Sequence, residues 1–407
     1  MSLTSVTRTF YKHKYPVLMG ISYLILNLSL FFIRVMPIPS SSSSEDKNFY
    51  YHPILMTWIM FLAKSFIFIF YIIKRCRTKE QKNHSVRITK TNLFFWMLLL
   101  WILDSFATTT TSILRETHLS FFELAIKGLF IFFSTMISIY KLGYKYYKHH
   151  YLGIIVIAIG IVIYTVNDII TNFDEIKKLK KNVIIYALIT ICVQISIAGQ
   201  ECSEKYLMHY KYIYHFLLIS LEGFVGTFFC SISFIPTSIM DCPDNVYFCS
   251  NKYPTHKQRK IEPFIYTMSY IFKHPRVLVM IIAVLLSMIS FESFRILTNQ
   301  RFSPGHRSIA DVYGAFLEFI IMSIFQYFGL FKLKPEKFSF YVVSVIGYAF
   351  ILVGVLIYLE IVIIHILGLD VNTEDKIEER AMKDRNTNEN TVDSINLLEP
   401  IVNEFIN

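Results

Sequence analysis

Apolar positions along this 407-residue chain come in long unbroken runs, not in the alternation of strands or the stripes of water-facing helices. A helix needs roughly 20 apolar residues to cross the hydrocarbon core of a bilayer. Ten runs reach that scale: 16–36, 53–73, 92–112, 121–140, 151–168, 183–200, 215–240, 275–296, 309–331 and 338–367. The pattern predicts an all-α, polytopic membrane protein with ten transmembrane helices, the last long enough to tilt or to run past the membrane. The first run follows Arg8, Lys12 and Lys14 as a signal peptide's would, but it is long and no small-residue cleavage site follows, so it reads as an uncleaved first helix.

The runs also repeat. Asp104-Ser105-Phe106 is followed by Gly128, Phe130, Phe133, Met136 and Gly143; Glu292-Ser293-Phe294 is followed by Gly314, Phe316, Phe319, Met322 and Gly329. These offsets are 188 and then 186 residues. An offset of 194 pairs Gly153 with Gly347, Gly160 with Gly354, Ile163 with Ile357 and Tyr164 with Tyr358. The common order carries the inference, since single Phe, Ile and Gly matches are easy coincidences in apolar sequence. A five-helix repeat spans an odd number of crossings, so its second copy enters from the opposite side. The expectation is two inverted repeats, 16–168 and 183–367, related by a pseudo-two-fold axis in the membrane plane. Such a pair has two near-equivalent arrangements, one open to each side, which is the geometry of alternating access.

Composition agrees with a lipid solvent. Charged residues make up 17% of the chain, against about 25% in soluble domains. The net charge of +10 raises the question of nucleic acid. The basic residues lie in short connections between apolar runs and not on one face, so no nucleic-acid partner is expected and the charges read as orientation signals. The N-terminus holds three Lys or Arg, 74–91 seven and 141–150 three, while 37–52 and 113–120 hold only Lys47 and Arg115. That bias places 1–15 in the cytosol, and ten crossings return the tail, 368–407, to the same side. The tail is polar and acidic, and reads as disordered.

Charges inside the apolar runs are the candidate chemistry. A charged side chain at mid-bilayer costs at least ~2.5–3.5 kcal/mol, so it faces protein or water and usually has a task. Lys64, Asp104, Glu123, Lys127, Glu222, Glu292, Asp311 and Glu318 are so placed. Asp104 and Glu292 occupy equivalent repeat positions and read as an architectural pair fixing helix ends. Lys127 precedes Gly128, while its counterpart Tyr313 before Gly314 is neutral, which favours a lone cation facing a cavity and an anionic group. Glu123 with Lys127, and Arg307 with Asp311, have i, i+4 spacing. Each is either a silent pair or a latch that opens when a substrate phosphate competes for the cation.

The connections add little. Cys242 and Cys249 share the longest internal loop and are the candidate disulfide on the lumenal side. There is no CxxC or HExxH, and the twelve His show no ligand spacing, so neither metal nor cofactor is expected. His149-His150 stand at a basic helix end and read as solvated. In the tail, Asp393 precedes Leu397-Leu398 by four residues, resembling the acidic dileucine signal that clathrin adaptors read on endosomal and lysosomal cargo.

With these residues in place, the chain resembles the drug/metabolite transporter superfamily (EamA-like). Within it, the likeness is to the nucleotide-sugar-transporter-like solute carrier 35 family, nearest the F-type branch. The likeness rests on His52-Pro53 with Met60-Phe61, Lys127-Gly128, Gly153 with Gly160, Gln200 with Glu204-Lys205-Tyr206, Glu222-Gly223 with Gly226, and Ser303 with Arg307 and Asp311. The resemblance implies ten helices around a central cavity, polar side chains from the fourth and ninth helices, and glycines of the fifth and tenth that pack together or form a homodimer contact. Lys64 stands where the family pattern is acidic, Leu124 where it has Gln, and Gly314 where it has a second basic residue.

The leading expectation is a secondary transporter, not an enzyme, moving a polar, anionic small molecule such as a nucleotide sugar across an endomembrane (lysosome, endosome or Golgi). Lys127, Arg307 and Lys64 would meet the substrate, with Asp311 and Glu123 holding the cations when the site is empty. The alternatives are a membrane scaffold or sorting protein, or a multi-pass membrane enzyme.

Overall fold

A computed structural model of the chain describes residues 14–35, 52–77, 89–116, 121–171, 182–241, 260–328, 338–365 and 368–373, together with 173, 376, 377, 379, 380 and 382. Within 114–129, and at 182, 183 and 186, it describes backbone alone. Among the described residues, ten long helices run in chain order: α1 (Lys14–Val35), α2 (Pro53–Arg77), α3 (Lys90–Glu116), α4 (Phe121–Leu142), α5 (Lys148–Thr171), α6 (Asn182–His209), α7 (His215–Ile239), α8 (Pro275–Arg301), α9 (Pro304–Tyr327) and α10 (Phe338–Tyr358). A short helix, Phe264–Lys273, lies between α7 and α8. Among the described residues, eight of the ten are long and apolar enough to cross a membrane, all but α4 and α6. The protein is an all-α, multi-pass membrane protein.

Local chemistry sets several boundaries. Pro53, Pro275 and Pro304 each open a helix, where the missing N–H would be unsatisfied anyway and the fixed φ is already helical. α2 is interrupted at Ile67, whose N–H turns back to the Lys64 carbonyl at 3.2 Å, a tightening of the kind that marks strain inside a helix. Three boundaries differ from the hydropathy reading in a way that matters. α6 continues to His209 instead of stopping at 200, and α8 continues to Arg301 instead of 296. α9 begins at Pro304 and not at 309. In all three places polar or charged residues end the apolar run while the helix goes on, because neighbouring helices supply the partners.

The packing is symmetric. α1 packs on α8 and α9 as α6 packs on α3 and α4, while α2 packs on α7, α4 on α9 and α5 on α10. Exchanging each helix for the one five places on maps these pairs onto themselves, as a two-fold axis between five-helix halves requires. The α5–α10 contact shows the relation at residue level. A Cβ at Gly153 would lie 2.9 Å from the Gly354 carbonyl oxygen, and one at Gly160 would lie 2.5 Å from that of Gly347. The reciprocal distances are 2.7 Å from Gly354 to Gly153 and 2.9 Å from Gly347 to Gly160. The 194-residue offset sends each contact onto the other, and sends Gly153 against Tyr358 onto Gly347 against Tyr164. Gly153 meets the later part of α10 and Gly160 the earlier, so the helices are antiparallel and the repeats inverted. The glycine faces are thereby filled within one chain, which leaves them unavailable as a dimer contact.

Gly160→Ala is expected to destabilise the protein by about 1–3 kcal/mol, the usual cost of overpacking, because the added methyl meets backbone that no side-chain rotation can clear. Gly199→Ala is the control, since its Cβ would make an ordinary 3.8 Å contact with Leu103. Melting of the detergent-purified variants checks this; equal melting temperatures would show that the helices separate freely.

Candidate functional site

Eight of the buried charges form one cluster at the centre of the bundle. Lys64 on α2, Asp104 on α3, Glu201 and Glu204 on α6, Glu222 on α7, Glu292 and Arg295 on α8 and Arg307 on α9 are all at most 7% exposed. Lys64 lies at the middle of α2 and makes an ion pair with Asp104. Its Nζ also lies 2.8 Å from Glu222 Oε1 and 4.0 Å from Glu292 Oε2. Glycine makes that meeting possible, because a Cβ at Gly223 would strike the backbone of Lys64 and Ser65. The repeat-equivalent acids Asp104 and Glu292 therefore converge on one lysine in the membrane interior. They do not fix helix ends, as equivalence alone led us to expect.

From Lys64 the cluster continues toward the end of the bundle where α6 and α8 finish and α7 and α9 begin. Glu292 Oε2 lies 2.9 Å from Arg295 Nη2, which lies 3.5 Å from Glu204 Oε1. Arg307 closes the series, with Nε 2.6 Å from Glu201 Oε1 and Nη1 2.5 Å from Glu204 Oε2. Neutral groups satisfy remaining lone pairs. Gln200 Nε2 donates to Glu222 Oε1 at 3.0 Å and to Glu204 Oε1 at 3.2 Å. Asn299 Nδ2 donates to Glu204 Oε2 at 3.2 Å. Ser134 and Ser308 donate to Glu201 Oε2 at 3.2 and 3.1 Å. Lys205 Nζ donates to the carbonyls of Asn299, Gln300 and Phe302 at 2.7, 2.8 and 2.8 Å. A cation there satisfies the last carbonyls of α8 and favours its C-terminal dipole.

Among the expected site residues, the structure brings Lys64 and Arg307 into one cluster with Asp104, Glu222 and Glu292. Arg307 pairs with Glu201 and Glu204 across the α6–α9 contact, partners that the i, i+4 reading did not include. Asp311 and Glu318 are half-buried on α9. Glu123, Lys127 and Gly128 fall in the part of α4 described as backbone only, and Gly314 packs against Tyr23 of α1. Cys242, Cys249, Gly329, Asp393, Leu397 and Leu398 lie outside the described residues. Sequence reasoning missed Glu201 and Arg295 and did not place Glu204 in the interior. The available signal was their spacing: Glu201, Glu204 and Lys205 continue α6 at helical period, as Arg295 continues α8 from Glu292. The histidines His149 and His150 are buried, at 5% and 9% exposure, which corrects the solvated reading.

The chemistry is that of a charge relay across the interface of the two repeats. Three cations face five carboxylates among the described residues, so each cation has more than one partner and the guanidinium of Arg307 spans two. Such a set can exchange partners when a competing anion arrives or when a carboxylate is protonated.

In comparison with known proteins, the chain is similar to solute carrier family 35 member F6 of Rattus norvegicus, 28% identical over 195 residues, 47% of this chain and 51% of that protein. It is also similar to the Mus musculus protein, 25% identical over 201 residues (49% and 53%), and to the Homo sapiens protein, 27% identical over 195 residues (47% and 52%). The chain spans about half the length of the curated relatives it matches. No family model matches. A solved crystal structure of a protein with 11% identity superposes with a TM-score of 0.52, covering 85% of this chain and 97% of the other, a likeness of fold alone. These matches bear out the resemblance to the F-type solute carrier 35 proteins drawn from the residues.

Proposed function

We propose that this protein is a secondary transporter that moves a polar, anionic metabolite across an endomembrane by alternating access. The observation that carries the reading is the cluster of eight buried charges at the junction of two inverted repeats. A bundle that only had to stand would do as well with apolar packing, because exchanging buried ion pairs for apolar residues is often neutral or stabilising. Charges kept in the interior are useful to a protein whose helices change partners. The names of the relatives, solute carriers, support transport as the kind of activity. A nucleotide sugar as first candidate rests on the family likeness, with other organic anions behind it.

In this reading the substrate's negative group competes with Glu201 and Glu204 for Arg307, and α9 parts from α6 at that end of the bundle. Lys127 supplies a second cation from α4, with Glu123 and Asp311 as resting partners, while Lys64 joins the halves at mid-membrane. The N-terminus and the tail face the cytosol. The compartment (lysosome, endosome or Golgi), a homodimer, and an adaptor contact through Asp393, Leu397 and Leu398 complete the proposal. No catalytic chemistry is assigned.

Uptake into proteoliposomes with a panel of nucleotide sugars and organic anions tests it. At least one anion is expected to accumulate above empty vesicles, and Lys127→Ala is expected to lower that uptake at least tenfold, about 1.4 kcal/mol of lost substrate interaction, with unchanged melting. Failure of every anion, beside uptake of a cation or neutral solute, removes the anionic assignment. Unchanged uptake in Lys127→Ala removes that lysine from the site.

A further inference from the structure

A second cluster lies away from the charge relay, where the start of α5 meets the end of α10. His149 and His150 open α5, and Glu360 follows the last turn of α10. The antiparallel glycine contact between these helices brings the three together. One donor atom from each lies within 4.8 Å of the others. His149 Nε2 is 2.9 Å from Glu360 Oε1, yet neither ring nitrogen of the buried His149 makes a hydrogen bond. The two groups are close without being aligned as donor and acceptor, so a modest turn of either side chain can aim both at a third centre. The His150 ring lies 4.1 Å from that of His149; its Nδ1 accepts the Tyr147 N–H at 3.3 Å, a contact that ligation through Nε2 would give up, since that tautomer carries its proton on Nδ1.

The backbone adds an independent sign. Glu360 has φ +57°, in the left-handed region where a helix end normally places Gly or Asn. The chain carries a glutamate there although its Cβ is disfavoured, and strain of this kind collects at ligand sites. The Glu360 N–H reaches the Ile357 carbonyl at 3.1 Å and the Ile361 N–H that of Leu356 at 3.0 Å. That tight turn is what directs the carboxylate back toward α5.

We propose that His149, His150 and Glu360 bind one divalent transition-metal ion, zinc by its donor set. Two imidazoles and one carboxylate are a recurrent three-ligand zinc set that leaves a fourth position for water. Tetrahedral bonds of about 2.0–2.2 Å set donors roughly 3.3–3.5 Å apart, a separation reached here by side-chain rotation. The pocket beside them, lined by Leu152, Ile357 and Thr373 among others, gives that fourth position room. The bound ion would clasp the start of α5 to the end of α10 and fix the central helix pair at one end.

The test uses the full chain, purified in detergent without a histidine tag, stripped with a chelator and titrated with Zn2+ by calorimetry and with Co2+ by visible absorption. One ion per chain is expected, with the intense visible bands of four-coordinate cobalt, and Zn2+ is expected to raise the melting temperature. His149→Ala and Glu360→Gln are expected to weaken binding at least tenfold. Glu360→Gly guards against misfolding: it relieves the positive φ, so its melting temperature in chelator should equal or exceed that of the parent while the rise with Zn2+ disappears. No binding by the parent protein, or binding by Glu360→Gly and His149→Ala as tight as the parent's, overturns the site.

Discussion

Arg307→Ala is expected to destabilise the protein by about 3–5 kcal/mol and to abolish uptake. That is the usual cost of removing one partner from a buried ion pair, because the other is left charged and unpaired in a low-dielectric interior. Here two carboxylates are left, since Arg307 bridges Glu201 at 2.6 Å and Glu204 at 2.5 Å. Arg307→Lys restores the charge but not the fork, and a point charge on a flexible stem cannot reproduce both contacts. It should recover part of the stability and little of the uptake. Thermal melting in detergent beside proteoliposome uptake reads the two effects separately. A melting temperature within error of the parent for Arg307→Ala would mean that Glu201 and Glu204 have another route to neutrality, and that α9 is not latched to α6 through this residue.

The architecture was legible in the sequence because its two signals are long-range and redundant. Ten apolar runs give the helices, and counterparts 186 to 194 residues after Asp104, Gly128, Gly153 and Gly160 give the duplication. The inversion followed from parity alone, and Gly153 against Gly354 with Gly160 against Gly347 is the contact pattern it required. The site was legible only in part. Lys64, Asp104, Glu222 and Glu292 interrupt apolar runs and stand out for that reason. Glu201, Glu204 and Arg307 lie beyond the bounds of their apolar runs, where hydropathy ends although the helix continues, and Arg295 falls at the last positions of its run. Which acid holds which cation was out of reach. Spacing along one helix proposes i, i+4 partners, whereas Arg307 finds its carboxylates about one hundred residues earlier on α6. His149 was misread for a related reason, since its burial depends on the end of α10, more than two hundred residues later.

The halves are alike in backbone and unlike in charge. By the offsets that align the repeats, the counterpart of Arg295 is Ala107 and that of Arg307 is Phe121. Among the described residues, the ion-pair latch therefore stands at one end of the bundle. At the other end of α2 stands a different device, His52 Nδ1 with Glu262 Oε1 at 2.7 Å, both buried. Two-fold symmetry makes two arrangements available, and this asymmetry makes them unequal in energy and in what releases them. A carrier needs that inequality, since a solute at one face must shift the balance by differential contact with the two states.

Lys64 offers the sharpest separation of scaffold from carrier. Lys64→Met is expected to destabilise by about 3–5 kcal/mol, because Asp104, Glu222 and Glu292 would share an interior without their common cation. Adding Asp104→Asn and Glu222→Gln should return most of that stability, since neutral amides of the same shape tolerate burial when hydrogen-bonded and Gln200 remains within reach of position 222, at 3.0 Å from the present Glu222 Oε1. The triple variant then asks what the charges are for. If they only join α2, α3 and α7, melting and uptake recover together. If they exchange partners during transport, melting recovers while uptake stays at background, because the neutral contact of α2 with α3 and α7 has no partner to exchange with Glu292 and the rest of the cluster. Recovery of both would reduce the buried lysine to an internal fastener and move the transport step to Arg307 and Lys127.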